Sequence, residues 1–282
     1  MCRCWPCESV KKRAQVGRDM TGPKVCVSLE GTTVKEMADE AARANISGAD
    51  MVEVRFDRLY LKKPAAEPVE DENGDIKHVM PPEDDWVVKE LSDVNIKDSI
   101  EALKESIPLP VIFTVRPTSE GGRFPGSEDE RIAILHAAIE SGVTSIDVEM
   151  STNGRDAIKE AASKSNVNII SSIHDVETTP SADELVAMVK EHAIEGEIFK
   201  FCGTVNDHQD ALQIVEACHE LKDSKMSFAL MALGNGGDWA RLHAPVLGQD
   251  LVYATLRSEF KLSNKGLVNV KDLRSAWILM EY

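Results

Sequence analysis

The chain alternates short apolar runs with amphipathic stretches over most of its length. Eight runs rich in β-branched and aromatic residues predict strands at 24–30, 50–57, 110–116, 144–150, 168–175, 197–203, 226–232 and 251–256. Between several of these runs, apolar residues recur at helical spacing, and the clearest examples are 33–46, 127–141, 181–195 and 207–221. Strands that alternate with helices are typical of parallel βαβ units. The pattern therefore predicts an α/β protein with a parallel sheet.

The number of these units favours one architecture. Eight strand–helix units within 282 residues predict a single-domain (β/α)8 TIM barrel, a fold that typically needs about 250 residues. A doubly wound open sheet is the main alternative. That fold would carry the glycine pattern G-x-G-x-x-G after its first strand, and the sequence SLEGTTVKE at 28–36 does not supply it.

One internal segment breaks the alternation. Residues 61–95 are rich in acidic residues and contain several prolines. This composition predicts a solvated insertion after the second strand, with a substrate lid as the alternative interpretation.

The first residues also differ from the rest of the chain. Residues 1–22 lack the apolar stretch of a secretory signal, and we expect a disordered extension there, with the barrel spanning 23–282. Cys2, Cys4 and Cys7 could bind a metal, but no fourth ligand lies near them in the sequence, so no metal is expected. The sequence leaves open whether the chain starts at Met1 or Met20.

The net charge and the hydropathy of the chain indicate which classes of binding partner to expect. The formal net charge is −16 at pH 7, whereas binding of DNA or RNA requires a basic surface, so a nucleic-acid partner is not expected. No apolar run reaches the length of about 18 residues that a transmembrane helix needs. We expect a cytoplasmic protein that acts on a small molecule.

Charged residues occupy strand positions where a barrel is expected to be apolar. Both faces of a barrel strand are buried, and barrel enzymes carry their active sites at the carboxyl ends of the strands. In the run EIFKFCG, side-chain alternation turns Lys200 inward, because Phe199 and Phe201 then face the helices. The same alternation brings charged or titratable side chains from the second to the sixth strand to one end of the barrel: Glu53, Arg55, Arg116, Asp147, Glu149, His174 and Lys200.

A structural interpretation exists for each of these residues taken singly. Glu53 and Arg55 could form an ion pair at the barrel rim, Lys200 could be paired and inert, and His174 could be a core histidine. Packing alone, however, gives no reason for five strands to place polar groups at one end, where removing charge from water is costly. Their convergence therefore indicates an active site.

The residue types indicate one kind of chemistry. A lysine in a dry pocket beside other cations loses its proton more readily, and its free amine can attack a carbonyl carbon to form a Schiff base. The protonated imine makes the adjacent carbon acidic, and a neighbouring histidine can then transfer protons. Arginines suit anionic or hydroxylated substrate groups. The set predicts a lyase or aldolase whose carbonyl substrate carries a carboxylate.

The motifs around these residues resemble a known family. The sequences EVRFD, FTVRPTSEGGRF, SIDVEM, SSIHDVETTP, FKFCGT and RLHAPVLG are similar in order and spacing to the type I 3-dehydroquinate dehydratases. The resemblance runs from about residue 24 to residue 282, apart from the acidic insertion. The resemblance implies a TIM barrel that forms a homodimer. It also implies the shikimate-pathway conversion of 3-dehydroquinate to 3-dehydroshikimate by syn elimination through an imine, without metal or cofactor.

The resemblance also assigns roles to particular residues. It implies that Lys200 forms the imine, that His174 transfers the protons, and that Glu120, in RPTSEGG, orients His174. Substrate binding would fall to Glu53, Arg55, Arg116, Arg241 and Ser263, with Arg241 on the carboxylate and Asp147 and Glu149 in support.

One position departs from the family pattern. In the segment SNKGL at 263–267, Leu267 stands where the family usually has a glutamine that closes over the carboxylate. An apolar side chain cannot donate that hydrogen bond, a loss of about 1–3 kcal/mol.

Two other functions remain open at the level of sequence. A class I aldolase would need a phosphate-binding glycine loop late in the barrel, for which GNGGDW at 234–239 is the candidate. A non-catalytic binding protein on a degenerate barrel is the second alternative, and Leu267 is its main support.

Overall fold

The computed structural model of the chain describes residues 22–70, 74–257 and 266–282. Within them, eight parallel strands form one sheet: β1 Lys24–Ser28, β2 Met51–Arg55, β3 Val111–Thr114, β4 Ser145–Glu149, β5 Asn168–His174, β6 Ile198–Val205, β7 Phe228–Gly234 and β8 Leu251–Ala254. An α-helix follows each strand: α1 Val34–Ile46, α2 Ile96–Ser106, α3 Glu128–Ser141, α4 Arg155–Ser165, α5 Ala182–His192, α6 His208–Leu221, α7 Trp239–Leu242 and α8 Val270–Leu279. The predicted (β/α)8 barrel is confirmed, with every strand within a few residues of its expected bounds.

The sheet curves into a nearly closed barrel with the strand order β8-β1-β2-β3-β4-β5-β6-β7. In the described residues the last join, between β7 and β8, has no regular ladder. Instead, the Asp250 N–H donates to the Phe228 carbonyl at 3.0 Å and the Phe228 N–H donates to the Asp250 carboxylate at 3.1 Å. The Leu230 N–H donates to the Gln249 side-chain carbonyl at 2.9 Å. Gln249 and Asp250, which directly precede β8, thus replace part of the missing ladder.

Side-chain alternation separates two apolar layers. Outward-facing strand residues such as Val52, Val54 and Phe199 are fully buried against the helices. Inward-facing residues of the lower barrel form a smaller cluster, which consists of Cys26, Ile112, Ile170, Ala229, Met231, Leu251 and Tyr253. This cluster is the floor beneath the mouth, the barrel end to which the strand carboxyl termini point.

Local signals start the helices that follow two mouth loops. Ser127 caps α3 and Ser181 caps α5, and in each case the glutamate three residues later bonds back to the serine N–H. These capping boxes satisfy N–H groups that the first helical turn leaves unpaired. They therefore fix the far ends of the loops that follow β3 and β5.

The acidic segment 61–95 contains regular structure. Leu61–Lys62 pairs with Val87–Val88, and Glu67–Glu70 pairs with Ile76–Val79, both antiparallel. The second pair is exposed along its whole length.

Other sequence expectations fall partly or wholly outside the described residues. The expected extension at 1–22, with Cys2, Cys4 and Cys7, lies outside them except for position 22. In the part of the chain that the structure describes, no helix combines the length and apolar character needed to cross a membrane.

Candidate active site

The carboxyl ends of β2 to β6 bring seven charged or titratable side chains to the mouth. They are Glu53 and Arg55 on β2, Arg116 after β3, Asp147 and Glu149 on β4, His174 on β5 and Lys200 on β6. All are buried except Arg55 and His174, which are partly exposed. These side chains point into the barrel, as strand alternation predicts, because they contact one another there.

Lys200 lies between carboxylates. Its Nζ donates to Asp147 Oδ2 at 2.8 Å and to the Tyr253 hydroxyl at 3.3 Å, and it lies 3.6 Å from Glu53 Oε1. The same nitrogen lies 4.3 Å from the centroid of the Tyr253 ring. Lys200 is only 3% exposed, so these groups replace water around the ammonium. Its direct partners are thus acidic, in contrast to the cationic surroundings expected from the sequence.

Arg116 connects the strands. Its Nη1 lies 3.2 Å from Asp147 Oδ1 and 2.8 Å from Glu149 Oε1, and it also lies 3.2 Å from Ser172 Oγ and 2.9 Å from His174 Nδ1. Although burial opposes its charge, Asp147, Glu149 and Glu53 raise the pKa of Arg116 above its ordinary value. The guanidinium is therefore a permanent positive charge.

The two acids of β4 respond differently to burial. For Asp147, burial opposes ionisation, but Arg116, Lys200 and His174 hold the pKa of this carboxyl far below its usual range. For Glu149, burial is the largest effect and the pKa is raised, even though Arg116 and Arg131 oppose the rise. Asp147 is therefore the firmly ionised acid beside Lys200.

Glu53 connects β2 to β1, β3 and β6. Its carboxylate accepts hydrogen bonds from Ser28 Oγ and, at 2.9 Å, from Thr114 Oγ1, and it lies 3.7 Å from Arg116 Nη2. Burial raises its pKa, but Lys200 and Arg116 outweigh burial and lower the pKa overall. Glu53 thus provides a second negative charge near Lys200.

His174 and Glu120 form a pair at the edge of the mouth. His174 Nδ1 lies 3.0 Å from Glu120 Oε2, which also accepts the backbone N–H of His174 at 3.1 Å. Glu120 Oε1 accepts a hydrogen bond from Ser151 Oγ at 2.8 Å. The Nδ1 atom faces Arg116 Nη1 as well, but it cannot both donate to Glu120 and accept from Arg116. Because Arg116 has three other acceptors, we assign the Nδ1 hydrogen to the bond with Glu120.

This assignment leaves Nε2 of His174 with a free lone pair. Burial lowers the pKa of His174 well below its ordinary value, and the positive charges of Arg116 and Lys200 lower it further. The ring is therefore neutral at physiological pH, with Nε2 able to accept a proton.

Arg55 is held by a residue that was not among the predicted site residues. Asp57 accepts two hydrogen bonds from Arg55, at 2.8 and 2.7 Å, and also accepts the backbone N–H groups of Arg116 and Arg123. Burial favours the neutral acid, but Arg55 outweighs burial and lowers the pKa of Asp57. The signal was present in the sequence, since Asp57 has the same parity as Glu53 and Arg55.

Arg241 lies on the opposite side of the barrel, in contact with backbone groups. Its Nε donates to the Tyr253 carbonyl at 3.0 Å, and its Nη1 donates to the carbonyls of Ala232, Gly237 and Gly266 at 2.6, 2.6 and 3.0 Å. Among the described residues, no carboxylate forms an ion pair with Arg241 and no acceptor bonds its Nη2. Arg241 thus secures the chain near Gly266, which precedes the half-buried Leu267. Ser263 lies outside the described residues.

Three further residues belong to the cluster but were not predicted. Tyr253 contacts Lys200, and burial raises the pKa of its phenol well above the ordinary value, so the phenol stays neutral. Ser172 Oγ donates to Asp147 at 2.6 Å. Arg131, on α3, donates to Glu149 at 2.6 Å. Strand parity could have identified Tyr253 and Ser172, but no sequence signal links a helical arginine to this site.

The arrangement suits carbonyl chemistry at Lys200 with proton transfer by His174. Asp147 contacts Lys200 directly and also bonds Arg116, whose Nη1 lies 2.9 Å from His174 Nδ1, so the amine and the imidazole belong to one cluster of polar side chains. Asp147 and Glu53 can stabilise a positive charge on the Lys200 nitrogen.

Comparison with known proteins identifies relatives over nearly the whole chain. A family model described as "Type I 3-dehydroquinase" matches residues 25–281. A 3-dehydroquinate dehydratase from Alkaliphilus oremlandii is 28% identical over 272 residues, which cover 94% of this chain and 93% of that protein. One from Methanosarcina acetivorans is 27% identical over 225 residues, or 78% of this chain and 81% of that protein.

Solved structures share the fold. The type I 3-dehydroquinate dehydratase of Clostridium difficile, in a crystal with covalently modified comenic acid, superimposes with a TM-score of 0.73 at 24% identity and 92% coverage of both chains. The 3-dehydroquinate dehydratase of Geobacillus kaustophilus gives 0.72 at 20% identity, with 93% of this chain and 92% of that chain covered. At these identities the structural likeness concerns the barrel alone.

Proposed function

The chain belongs to the type I 3-dehydroquinase family, and from that premise we propose how its barrel dehydrates 3-dehydroquinate to 3-dehydroshikimate. The observation that carries the proposal is the position of Lys200. It is a buried amine that donates to Asp147, and Arg116 lies between Asp147 and the neutral His174. An amine of this kind can form an imine with a ketone, and a neutral imidazole can remove the neighbouring proton.

The first step forms the imine. Lys200 Nζ attacks the ketone carbon of the substrate, and the carbonyl oxygen leaves as water with the two protons that the nitrogen gives up on passing from ammonium to protonated imine. The resulting iminium carries the positive charge that the ammonium carried before. Asp147 and Glu53, at 2.8 and 3.6 Å from Nζ, therefore support the same charge throughout the reaction.

The second step is the elimination. Nε2 of His174 takes the proton from the carbon next to the iminium, and the electron pair of that bond moves toward the nitrogen. The electron pair then returns to form the carbon–carbon double bond and to break the bond to the hydroxyl, which takes the proton from His174 and leaves as water. The iminium is thereby restored. Glu120 holds Nδ1 during both transfers, so that the imidazolium formed between them faces a carboxylate. Attack of water on the iminium finally releases the product and restores Lys200.

Substrate binding divides between two sides of the mouth. We assign the substrate carboxylate to Arg241, whose Nη2 has no acceptor among the described residues, and to Ser263. Arg55, Arg116 and Glu53 would contact ring hydroxyls. For Arg116 the available group is Nη2, since Nη1 is occupied by the protein. No metal or cofactor takes part in this scheme.

We further expect the enzyme to be a cytoplasmic homodimer, as the family resemblance implies. Light scattering on the purified full chain measures the oligomeric state, and a monomer at micromolar concentration would contradict the dimer.

The glycine loop at 234–239 does not favour the aldolase alternative, because its groups are not arranged to bind a phosphate. The N–H groups of Gly237 and Trp239 close turns within the loop, and the Gly237 carbonyl accepts from Arg241. The carboxylate of Asp238 is buried in the same loop and would repel a phosphate.

The proposed function is tested by following 3-dehydroshikimate through its absorbance. The full chain should convert 3-dehydroquinate, and Lys200→Ala should reduce turnover to background because the imine cannot form. Lys190→Ala removes an exposed lysine on α5 and serves as the control, with unchanged turnover expected. Substantial turnover by Lys200→Ala would contradict the proposal.

A further inference from the structure

The acidic segment makes a polar contact with the loop that carries Glu120. This loop, Pro117–Arg123, is part of the connection between β3 and α3, and the side chain of its last residue contacts the segment. Arg123 Nε lies 3.4 Å from Glu83 Oε1, and Arg123 Nη2 lies 2.5 Å from Asp84 Oδ1. Glu83 and Asp84 belong to the 3-10 helix Glu83–Asp85. The contact therefore joins two parts of the chain about 40 residues apart in sequence.

Glu83 is itself fixed to the barrel. Arg58, which directly follows the β2 strand region, donates to both carboxylate oxygens of Glu83 at 2.9 and 2.8 Å. The Arg58 side chain is 10% exposed, and its Nε donates to the Glu30 carbonyl in the loop after β1 at 2.9 Å. A paired, bidentate arginine of this kind is geometrically well defined. Arg58 thus holds the Glu83 carboxylate in a defined position, where it accepts the hydrogen bond from Arg123.

A close turn directly after Glu120 also fixes the loop. Gly121 has φ 76°, and a Cβ at Gly122 would lie 2.0 Å from the Arg116 carbonyl oxygen, so the chain passes directly against Arg116. Glu120 is the last residue of the 3-10 turn Thr118–Glu120 and directly precedes Gly121. The backbone N–H of Arg123 donates to Asp57 at 3.0 Å. The loop is therefore held on both sides of the residue that bonds His174.

We propose that Glu83 and Asp84 are positioning residues for the dehydration, and that they act through Arg123 to hold the loop so that Glu120 bonds His174. We call the contacts of Glu83 and Asp84 with Arg58 and Arg123 the insertion clamp. This inference rests on the proposed function, because it assigns a consequence to the Glu120–His174 bond. It also gives the acidic segment a role in the chemical step, not in covering the substrate.

Loss of the insertion clamp should slow proton transfer and leave imine formation intact. Without the contacts to Arg123, the loop samples positions in which Glu120 no longer bonds Nδ1, and the correct tautomer of His174 is then present for only part of the time. Lys200 and its partners lie on β2, β4, β6 and β8 and do not depend on this loop. The turnover number should therefore fall, whereas KM and formation of the imine should change little.

The test compares two double variants with equal loss of charge. Glu83→Gln/Asp84→Asn removes the insertion clamp. Glu67→Gln/Asp85→Asn removes two acids from the same segment that have no described bond to Arg58 or Arg123. We expect the first pair to lower kcat by about five- to tenfold, and the control pair to stay within about twofold of the parent enzyme. Arg123→Gln breaks the same contacts from the other side while leaving Arg58 paired with Glu83, so it covers the case in which the first variant folds poorly.

Two readouts separate positioning from a general loss of structure. With substrate deuterated at the carbon that His174 deprotonates, the isotope effect on kcat should rise in Glu83→Gln/Asp84→Asn and in Arg123→Gln. Combining all three substitutions should lower kcat no further than the larger single effect, because the parts act as one unit.

The outcomes distinguish the inference from the proposed function. If the parent enzyme makes no product and no imine, the proposed function fails. If the parent is active but the clamp variants match the control in kcat and isotope effect, the inference alone is overturned. Additive losses in the combined variant would also overturn it.

Discussion

Arg116 and Arg241 are both buried guanidinium groups at the mouth of the barrel, but their surroundings differ. Arg116, on the side of β2 to β6, contacts Asp147, Glu149 and His174. Arg241, beside β7 and β8, donates to four backbone carbonyls and has no acidic partner among the described residues. The first arginine balances charges that the protein already contains. The second retains an uncompensated positive charge, and the anionic group of a substrate can supply the missing partner.

The same contrast separates the groups proposed for catalysis from the group proposed to bind the substrate carboxylate. On the Arg116 side, cations and carboxylates alternate around Lys200, so charge can move between the amine, the imine and the imidazole without leaving a buried ion unpaired. On the Arg241 side, the polar contacts hold the chain in place and leave one donor group free. Substitutions on the two sides should therefore have different kinetic consequences.

After Lys200→Ala, the largest effect on the Arg116 side is expected for His174→Ala. General base and acid catalysis is worth about 10²–10⁴-fold, so kcat should fall by a factor in that range. The imine should still form, because Lys200 keeps Asp147, Glu53 and Tyr253 as neighbours. Rapid quenching with borohydride measures the imine. Loss of both turnover and imine in a folded variant would contradict the separation of roles between His174 and Lys200.

The two arginines offer a direct test of the contrast. Arg116→Gln leaves Asp147 and Glu149 without their shared cation, and breaking a buried pair in this way costs about 3–5 kcal/mol of unfolding free energy. Arg241→Gln should instead raise KM by about ten- to a hundredfold, through loss of a charge-assisted contact with the substrate carboxylate. Denaturant unfolding and steady-state kinetics on both variants measure these effects. A larger KM effect in Arg116→Gln than in Arg241→Gln would reverse the assignment.

The pH dependence should report the low pKa of His174. Its neutral form is the active base, and burial together with Arg116 and Lys200 opposes protonation. The acid limb of kcat/KM should therefore lie well below pH 6.5, the ordinary value for histidine. The unfolded chain binds this proton near pH 6.5 and the folded chain does not, so the stability contribution is lost as pH falls below that value. An NMR titration of His174 with a midpoint at or above 6.5 would contradict both expectations.

The smallest expected effect concerns Leu267. This side chain is half-buried next to Gly266, whose carbonyl accepts from Arg241. Leu267→Gln would provide a donor near the proposed carboxylate site, and one hydrogen bond contributes about 1 kcal/mol, so KM should fall by about fivefold. Leu279→Gln, an exposed apolar residue on α8, is the matched control. An unchanged or raised KM in Leu267→Gln would mean that position 267 does not contact the substrate.

The sequence predicted the barrel and the Arg116 side better than the Arg241 side. A period of two along each strand places Glu53, Asp147 and Lys200 on the inner face, because every barrel strand is buried on both sides and parity then decides direction. The same rule applied to β8 would have placed Tyr253 on the inner face and added it to the predicted site residues. Six strands end one or two residues before their predicted ends, whereas β6 and β7 each continue two residues beyond theirs.

Other features could not be deduced because they depend on contacts between distant segments. Arg131 reaches Glu149 from a helix, and Glu83 reaches Arg123 from the acidic segment. Neither contact follows from a local pattern. The contacts of Lys200 with acidic side chains could not be predicted either. The sequence indicates that cations and carboxylates converge at the mouth, but it does not indicate which cation contacts which carboxylate.

The central claim is that Lys200 carries the covalent intermediate, and reductive trapping tests it most directly. The full chain is treated with 3-dehydroquinate and borohydride, digested, and examined by mass spectrometry. A single adduct on the peptide that contains Lys200, present in the parent and in His174→Ala but absent from Lys200→Ala, is the predicted result. An active enzyme that leaves Lys200 unmodified during turnover, or that carries the adduct on another lysine, would contradict the account.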